Sequence, residues 1–275
     1  MKFLGSFLIF LSKIWYYIID NFLIYPTLAL LARKLDIHFM NLGYVPKKNE
    51  KRLSVFNRVI EVETNQRAHC YLYEKALSMC PLYHKLQDKT LLEVGCGHGA
   101  GLRWIKRSHP EIGNMYGIDI VIVDDLKYKD SQIIQGNAEK IPFPDEQFDI
   151  LINIESSHLY NNFPAFVEEA YRVLKKNSYI VWADLRFANE IKEKCFNIFE
   201  NVGFKLIQVE DITKQVLNGM EVTSKRYDEL LKQSPWFIQL FSNSIRETYC
   251  APGTKSFNRF KRKEKIYMIA IWKKD

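Results

Sequence analysis

Three glycines stand at alternate positions in the segment EVGCGHGA, between an apolar run that predicts a strand ending at Val94 and a segment that predicts a helix over about 100–108. Gly95, Gly97 and Gly99 allow backbone conformations and a close ligand approach that a Cβ atom would hinder. A glycine-rich turn between a strand and a helix is typical of a nucleotide-type binding site. With Ala100 the loop also reads GxGxxA, so the glycines alone leave a dinucleotide site open.

Two acidic residues beside this loop bear on which cofactor it binds. Asp119 ends a second predicted strand (115–119), where its carboxylate can accept hydrogen bonds from the ribose hydroxyls of either NAD or S-adenosylmethionine. Glu93 stands two residues before Gly95. A carboxylate there can lie near an amino or sulfonium group, whereas it would repel a pyrophosphate. The two acids together favour a methionine-bearing cofactor.

Further motifs follow at the ends of later predicted strands. The segment QGNAE (135–139) follows a third strand (131–135), and IPFPDEQFDI (141–150) leads into a fourth strand. LKKNS (174–178) ends a helix and leads into a fifth strand (179–184). The recurrence of strand and helix patterns predicts an α/β domain with a mostly parallel sheet.

In this order and spacing, the segments resemble the class I S-adenosylmethionine-dependent methyltransferases. EVGCGHG matches the family motif E/D-x-G-x-G-x-G, GNA stands where GDA is usual, IPFPDEQFD matches LPFPDxSFD, and LKKNS stands where LKPGG is usual. Asn137 replaces the usual Asp, but an Asn carbonyl can still accept a bond from the adenine amino group. Asn177 and Ser178 replace Pro-Gly, which should alter only a turn.

The resemblance implies a Rossmann-like α/β fold with seven strands, helices on both faces of the sheet and an antiparallel last strand. It also implies S-adenosyl-L-methionine as methyl donor and S-adenosyl-L-homocysteine as product. Tyr44 is expected to close over the cofactor from the N-terminal region, while Cys96 is expected to be small for steric reasons rather than reactive. The full set of expected cofactor residues is Glu93, Gly95, Cys96, Gly97, Gly99, Asp119, Ile120, Asn137, Ala138, Asn153 and Tyr44.

Three shorter segments carry a narrower resemblance. NLGYVP (41–46), NIESSHLY (153–160) and ADLR (183–186) are similar to small methyltransferases that act on lipids and polyketides, particularly the phthiotriol/phenolphthiocerol dimycocerosate methyltransferase type. That resemblance implies methylation of a hydroxyl on a lipid or another hydrophobic small molecule. N- or C-methylation of a sterol, quinone or phospholipid headgroup, nucleic-acid methylation, and a non-catalytic partner subunit are the alternatives.

A hydroxyl acceptor would benefit from a general base, since its proton becomes acidic in the transition state. The exit of the fourth strand lies at the carboxyl edge of the sheet, where open α/β folds bind ligands. We therefore expect His158 to be the base, with Glu155 as its orienting partner or as a cofactor contact. Asp184, at the end of the fifth strand, is the second candidate for the base. The other five histidines, His38, His69, His84, His98 and His109, share no ligand spacing, so no metal is expected.

The predicted organisation has three parts: a hydrophobic segment (1–35), a helical N-terminal cap (36–88), and a methyltransferase domain (89–275) with an insertion at about 211–262 that helps to form the acceptor pocket. The apolar runs of the first part are shorter than the roughly 20 residues of a membrane span. They suit a helix lying in the membrane interface, with packing into a core as the alternative. Five cysteines without paired spacing favour a reducing, intracellular compartment and a catalytic domain in the cytoplasm.

Composition and charge exclude several classes of protein. With 47% hydrophobic and 26% charged residues, 12 glycines and 9 prolines, the chain is neither disordered nor collagen-like. The net charge is +7, and residues 253–275 contain eight basic residues against two acidic ones. If both chain ends lie on one face, an anionic membrane surface explains this charge better than nucleic acid does.

Overall fold

The computed structural model describes residues 39–50, 54–60, 62–121 and 132–275. Its centre is a seven-stranded sheet with the strand order β3-β2-β1-β4-β5-β7-β6. The strands are β1 (Leu91–Val94), β2 (Met115–Asp119), β3 (Gln132–Gln135), β4 (Phe148–Ile154), β5 (Leu174–Phe187), β6 (Phe204–Asp211) and β7 (Lys265–Lys274). The first five strands pair in parallel, and β7 runs antiparallel to both neighbours. The predicted sheet is confirmed.

The helices of the described residues cover both faces of this sheet. They are α1 (Asn57–Ile60), α2 (Arg67–Ser78), α3 (Ala100–Ser108), α4 (Phe163–Val173), α5 (Asn197–Val202), α6 (Thr213–Gln233), α7 (Trp236–Gln239), α8 (Ser242–Thr248) and α9 (Lys255–Lys261). Short 3-10 turns lie at Ser54–Phe56 and Ser157–Leu159, and a π-helical turn lies at Lys192–Phe196.

Side-chain alternation along the strands produces two hydrophobic cores. Ile150 and Ile152 of β4 face the core that α2, α3, α6 and α9 cover. Leu151, between them, faces the second core, which α4 and α5 cover. Because successive strand residues point to opposite faces, a strand such as β4, whose central residues Ile150–Ile152 are buried on both faces, requires helices on both sides.

Two predicted helices differ from the structure. Apolar residues at helical spacing over 64–80 predict a helix with Thr64 as its N-cap, whereas α2 spans Arg67–Ser78 with Gln66 at the N-cap position. The sequence also predicts a helix over 188–201, whereas in the structure the π-helical turn comes first and α5 spans Asn197–Val202. That wider turn brings the Cys195 thiol to 3.2 Å from Nε of Arg186, a contact with no counterpart in local sequence spacing.

The direction of β7 divides the basic C-terminal stretch. Lys265 pairs with Phe187 at the carboxyl edge of the sheet, and Lys274 pairs with Ser178 near the opposite edge. Lys274 is buried there and donates to the carbonyl oxygen of Leu174 at 2.7 Å. The stretch therefore does not form one continuous basic edge.

The predicted hydrophobic segment 1–35 lies outside the described residues. Within the part of the chain that is described, no helix combines the length and apolar character needed to cross a bilayer. All five cysteines fall in the described ranges, and each is a buried free thiol.

Candidate active site

The glycine loop joins β1 to α3, as its sequence predicted. Gly95, Gly97 and Gly99 have φ angles of 75°, 52° and 70°, a region that side chains with a Cβ rarely adopt. The amide of Gly97 donates to Oδ2 of Asp119 at 2.8 Å, so the acid at the end of β2 fixes the turn. Gly99 is the N-cap of α3. The loop backbone is thus held at the carboxyl edge of the sheet.

Glu93 is almost completely buried beneath this loop. Its Oε1 accepts a hydrogen bond from the Tyr73 hydroxyl at 2.6 Å, and its Oε2 has no partner among the described atoms. Burial raises the pKa of Glu93 to about 8, against the lowering effect of the Tyr73 hydrogen bond. An amino cation would satisfy Oε2 and favour the carboxylate, so this acid fits the cofactor that the sequence implies.

Tyr73 is a site residue that the sequence did not reveal. Its ring packs so closely on Gly101 in α3 that a Cβ atom there would clash with it. The sequence feature that pointed to this contact was Gly101, a glycine inside an otherwise helical pattern. Because residue 101 has no side chain, the Tyr73 ring can pack against α3 with its hydroxyl bonded to Glu93.

The residues expected on the adenosine side follow β2 and β3. Asp119 also accepts the amide of Val121 through Oδ1 at 3.1 Å. Ile120 is exposed beside it, and Ala138 is buried. Oδ1 of Asn137 accepts the amide of Glu139 at 2.9 Å, which uses one of its two acceptor positions. Contacts of these residues with the cofactor stay predictions.

A cluster of polar side chains at the carboxyl end of β4 packs against the glycine loop. Nδ2 of Asn153 lies 2.9 Å from the Val94 carbonyl oxygen, 2.9 Å from the Tyr160 hydroxyl and 2.8 Å from Oγ of Ser156. Oδ1 of Asn153 is buried without a partner among the described residues. Ser156 and Tyr160 occupy the space that a Cβ atom on Gly95 would need. Neither residue was predicted, although both lie in the NIESSHLY segment.

His158 and Asp184 form a hydrogen-bonded pair at the carboxyl ends of β4 and β5. Nδ1 of His158 lies 2.8 Å from Oδ1 of Asp184, and the His158 amide donates to Oδ2 at 2.9 Å. The His158 side chain is 24% exposed, whereas Asp184 is fully buried. Among the described residues, nothing forms a hydrogen bond with Nε2 of His158.

Asp184 is held as a carboxylate by several donors. Ser157 Oγ donates at 2.5 Å, and Nη1 of Arg186 lies at 3.0 Å. Burial acts to raise the pKa of Asp184, but the charge and hydrogen bond of His158, then Arg186 and Ser157, lower it below its usual value. A carboxylate fixed in this way orients the imidazole ring.

Glu155 does not orient His158, which corrects the first expectation for it. Its Oε2 accepts the amide of Leu42 at 2.9 Å and the hydroxyl of Tyr267 at 3.1 Å. Burial, then the charge of Asp184, raises the pKa of Glu155 to about 8. The Glu155 side chain thus connects Leu42, which precedes α1, to Tyr267 of β7. Local sequence cannot specify such a long-range contact.

The expectation that Tyr44 covers the cofactor is wrong. Its side chain is fully buried, and its hydroxyl donates to Oε2 of Glu50 at 2.9 Å. The chain ahead of α1 approaches the glycine loop through Met40 instead. Its Cε would lie 2.6 Å from a Cβ atom on Gly97. The register of the segment is fixed where Gly219 of α6 packs against the Gly43 carbonyl.

In the described part of the chain, Cys96 and His69 lack the features of a second reactive centre. Burial, then the charges of Glu93 and Asp119, raises the pKa of the Cys96 thiol, so the thiolate is disfavoured. His69 bonds to Asn41 at 3.0 Å, away from His158. In the described ranges, no group of three or more His, Cys, Asp or Glu residues could hold a metal ion.

Comparison with known proteins agrees with this geometry. The family described as "Methyltransferase domain" matches residues 92–182. The phthiotriol/phenolphthiotriol dimycocerosates methyltransferase of Mycobacterium leprae (strain TN) is 32% identical over 217 residues, which cover 76% of this chain and 77% of that protein. The fatty-acid O-methyltransferase of Mycolicibacterium smegmatis (strain ATCC 700084 / mc(2)155) is 29% identical over 193 residues, covering 68% of this chain and 66% of that protein.

A solved structure shares the fold. Geranyl diphosphate C-methyltransferase from Streptomyces coelicolor A3(2), in complex with Mg2+, geranyl diphosphate and S-adenosyl-L-homocysteine, aligns with a TM-score of 0.59 at 15% identity. The alignment covers 89% of this chain and 93% of that chain. With the glycine loop, Glu93 and the relatives above, the conclusion is that the chain belongs to the class I S-adenosylmethionine-dependent methyltransferase family, among the relatives of the phthiotriol/phenolphthiotriol dimycocerosates methyltransferases.

Proposed function

We propose that this methyltransferase transfers a methyl group to a hydroxyl of a lipid or another hydrophobic small molecule. The observation that carries the proposal is the His158–Asp184 pair at the carboxyl edge, in which no described residue forms a hydrogen bond with Nε2 of the imidazole. The names of two relatives, one acting on phthiotriol or phenolphthiotriol dimycocerosates and one on fatty acids, support an acceptor with a long apolar chain.

Cofactor binding is assigned to the residues around the glycine loop. Glu93 and Asn153 each hold a buried oxygen without a partner among the described atoms, and Asp119 braces the loop backbone. Gly95, Gly97 and Gly99 leave room for a ligand close to the main chain. The bound cofactor supplies a methyl carbon already activated by its sulfonium group. The chain's main task is then to position the acceptor and exclude water.

His158 is assigned the removal of the acceptor proton. Asp184 accepts a hydrogen bond from Nδ1–H, which leaves a lone pair on Nε2. A hydroxyl within hydrogen-bond reach of Nε2 can transfer its proton there as the oxygen becomes a nucleophile. Asp184 remains ionised and stabilises the imidazolium that results. Asp184 is thus a positioning residue rather than the base.

The acceptor is proposed to lie against the insertion at about 211–262. This insertion leaves the sheet after Asp211 and returns at Lys265, and both residues lie at the carboxyl edge. Apolar side chains from the insertion can cover a lipid chain, while polar residues near His158 orient the reactive end.

Membrane association is proposed for the N-terminal segment 1–35, with the catalytic domain in the cytoplasm. The apolar runs of its sequence and the aromatic residues Trp15, Tyr16 and Tyr17 support a helix in the membrane interface. Fractionation of the full chain against a chain that starts at Asp36 tests this assignment. Equal recovery of both chains in the aqueous fraction would contradict it.

The acceptor class can be tested by label transfer. The full chain is incubated with methyl-labelled S-adenosylmethionine and with separate lipid, protein and RNA fractions of a cell extract. Asp119→Ala, which removes the brace of the glycine loop, is the inactive control. Label should enter the lipid fraction in a form stable to mild acid and base, as an ether is. Label in RNA or in protein, absent with the control variant, would overturn the proposal.

A further inference from the structure

A group of basic residues lies at the same edge of the sheet as His158. The basic strip, as we name it, consists of Lys255, Arg259, Lys261, Arg262, Lys263 and Lys265. Glu264 is the one acidic residue in the range 255–265. Because Lys265 pairs with Phe187, the end of the strip lies at the carboxyl end of β5. Phe187 follows Asp184 by three residues, so the two Cα atoms are about 10 Å apart in an extended strand.

Most of the charge in the basic strip is not neutralised. Glu264 forms an ion pair with Arg262 at 2.7 Å. Lys261 and Lys263 are exposed, and no acidic residue in the described part of the chain forms a salt bridge with either of them. The strip therefore presents a positive surface that can attract an anionic partner.

Two members of the strip lie on an aromatic ring. The guanidinium carbon of Arg259 is 5.6 Å from the centre of the Phe187 ring, and Nζ of Lys265 is 5.2 Å from it. Phe187 is itself partly exposed, and Leu159, beside His158, is exposed as well. Positive charge and apolar surface thus alternate at this edge.

The insertion adds a larger apolar group. Trp236, Leu240 and Phe241, which we call the apolar turn, are 74%, 72% and 58% exposed. The Leu240 amide donates to the Trp236 carbonyl oxygen at 3.2 Å, so the first two share one side of a helical turn. Exposed aromatic and aliphatic side chains grouped in this way are a feature of interaction surfaces.

The apolar turn is connected to the basic strip by the structure of the insertion. Glu247 of α8 accepts the amides of Lys255 and Ser256 at the start of α9, at 2.6 and 3.0 Å. α8 follows the apolar turn directly, and α9 begins the basic strip. The two features consequently belong to one folded unit that leaves and re-enters the sheet at the carboxyl edge.

We propose that this edge rests on an anionic lipid surface. In this arrangement the basic strip contacts the headgroups, and the apolar turn enters the boundary between headgroups and acyl chains. The exposed side chains beside the lysines are aliphatic (Leu159, Leu240) as well as aromatic. This favours a lipid surface, which accommodates both kinds, over nucleic acid, whose bases stack on aromatic rings. The inference rests on the proposed function in one respect. Docking of this edge would give an acceptor held in the membrane a direct route to His158.

The test is vesicle binding by the full chain, measured by flotation with phosphatidylcholine vesicles and with vesicles that also contain phosphatidylglycerol. The test variant is K261E/R262E/K263E. The matched control is K85E/K176E/K205E, which reverses three exposed lysines near the amino edge and changes the net charge equally. Both variants keep the N-terminal segment, so its contribution to binding is the same in every sample.

The wild-type chain should bind the phosphatidylglycerol vesicles more tightly than the neutral ones. The test variant should lose about ten-fold or more of this preference, and the control should keep most of it. Adding salt should weaken the preference. Equal losses in the two variants, or a wild-type chain without a preference for phosphatidylglycerol, would overturn the proposal. Tighter binding to an RNA oligomer than to the anionic vesicles, lost in the test variant, would also overturn it.

Two further measurements separate this inference from the proposed function. Calorimetry with S-adenosylhomocysteine shows whether the test variant is folded and binds cofactor. Methylation of a detergent-dispersed lipid fraction reports turnover without a membrane. A wild-type chain that binds anionic vesicles through the strip but methylates no lipid contradicts only the proposed function. One that methylates dispersed lipid but shows no anionic preference contradicts only the docking inference.

Discussion

Nδ1 of His158 lies 2.8 Å from Oδ1 of Asp184, although 26 residues separate them in the chain. The contact exists because β4 and β5 are parallel neighbours, with Ile154 in register with Ala183. The carboxyl ends of the two strands meet at one edge, and the residues that follow each strand can touch there. The pair combines a buried carboxylate with a partly exposed imidazole, which is the arrangement of an oriented base.

Replacing His158 by Ala should reduce turnover by about 10²- to 10⁴-fold, because a positioned general base contributes about that much. The affinity for S-adenosylhomocysteine should change little, since His158 is not among the residues assigned to the cofactor. Label transfer and calorimetry check the two statements. His84→Ala, at an exposed histidine near the amino edge, is the control. Full activity in the His158 variant would refute the assignment of the base.

Asp184→Asn should lower turnover and also change the acid sensitivity of folding. The pKa of Asp184 is held below its usual value in the folded protein, so its ionisation stabilises the fold above the unfolded pKa of about 3.9. This stabilisation is lost as the pH falls from that value through the lower folded pKa. Urea unfolding at several pH values should show that the free energy of unfolding decreases less in acid for the variant than for the wild type. Parallel curves for both proteins would contradict the prediction.

Glu93→Gln should weaken S-adenosylhomocysteine binding and abolish proton release on binding. With a pKa of about 8, Glu93 is mostly protonated at pH 7 in the free protein. A bound amino cation stabilises the carboxylate, so binding should release a proton. Calorimetry in buffers with different ionisation enthalpies measures this release. The variant should release none, whereas equal release would place the titrating group elsewhere.

Glu155→Gln should retain most of the activity that His158→Ala loses. The pKa of Glu155 is about 8, so the neutral amide imitates its main form at pH 7 and can still accept from Leu42 and Tyr267. For an acid with a raised folded pKa, stability is lost as the pH rises from about 4.3 toward 8. The variant should therefore be more stable than the wild type at pH 9, as urea unfolding would show. A variant less stable at pH 9 would contradict this sign.

Gly101→Ala should destabilise the fold by about 1–3 kcal/mol, because the added methyl group overlaps the Tyr73 ring in a packed core. It should also weaken S-adenosylhomocysteine binding, since Tyr73 holds Glu93. Gly253→Ala is the control, because its added methyl group meets no atom within 4 Å and only its φ of +90° is unfavourable. Thermal unfolding and calorimetry distinguish the two variants, because Gly253→Ala should lose stability but keep its affinity for S-adenosylhomocysteine. Unchanged cofactor affinity in the Gly101 variant would contradict the role of Tyr73.

Local sequence determined the cofactor half of the domain. The spacing of glycines and apolar residues predicted the second strand at 115–119 and the helix at 100–108, and the structure has both at these bounds. These elements depend on interactions between near neighbours in the chain, namely glycine conformations and the periodicity of apolar side chains. The order of the motifs, in turn, was sufficient to indicate the family, the fold and S-adenosylmethionine.

Tertiary structure decided which side chains meet. Sequence proximity suggested Glu155 as the partner of His158, but the parallel pairing of β4 and β5 gives that contact to Asp184. Glu93 takes its hydrogen bond from Tyr73 of α2, and Tyr44 is directed into the core instead. The antiparallel course of β7 likewise separates charges that are close in sequence. Each outcome depends on strand order and direction, which arise from burial over the whole chain rather than from local spacing.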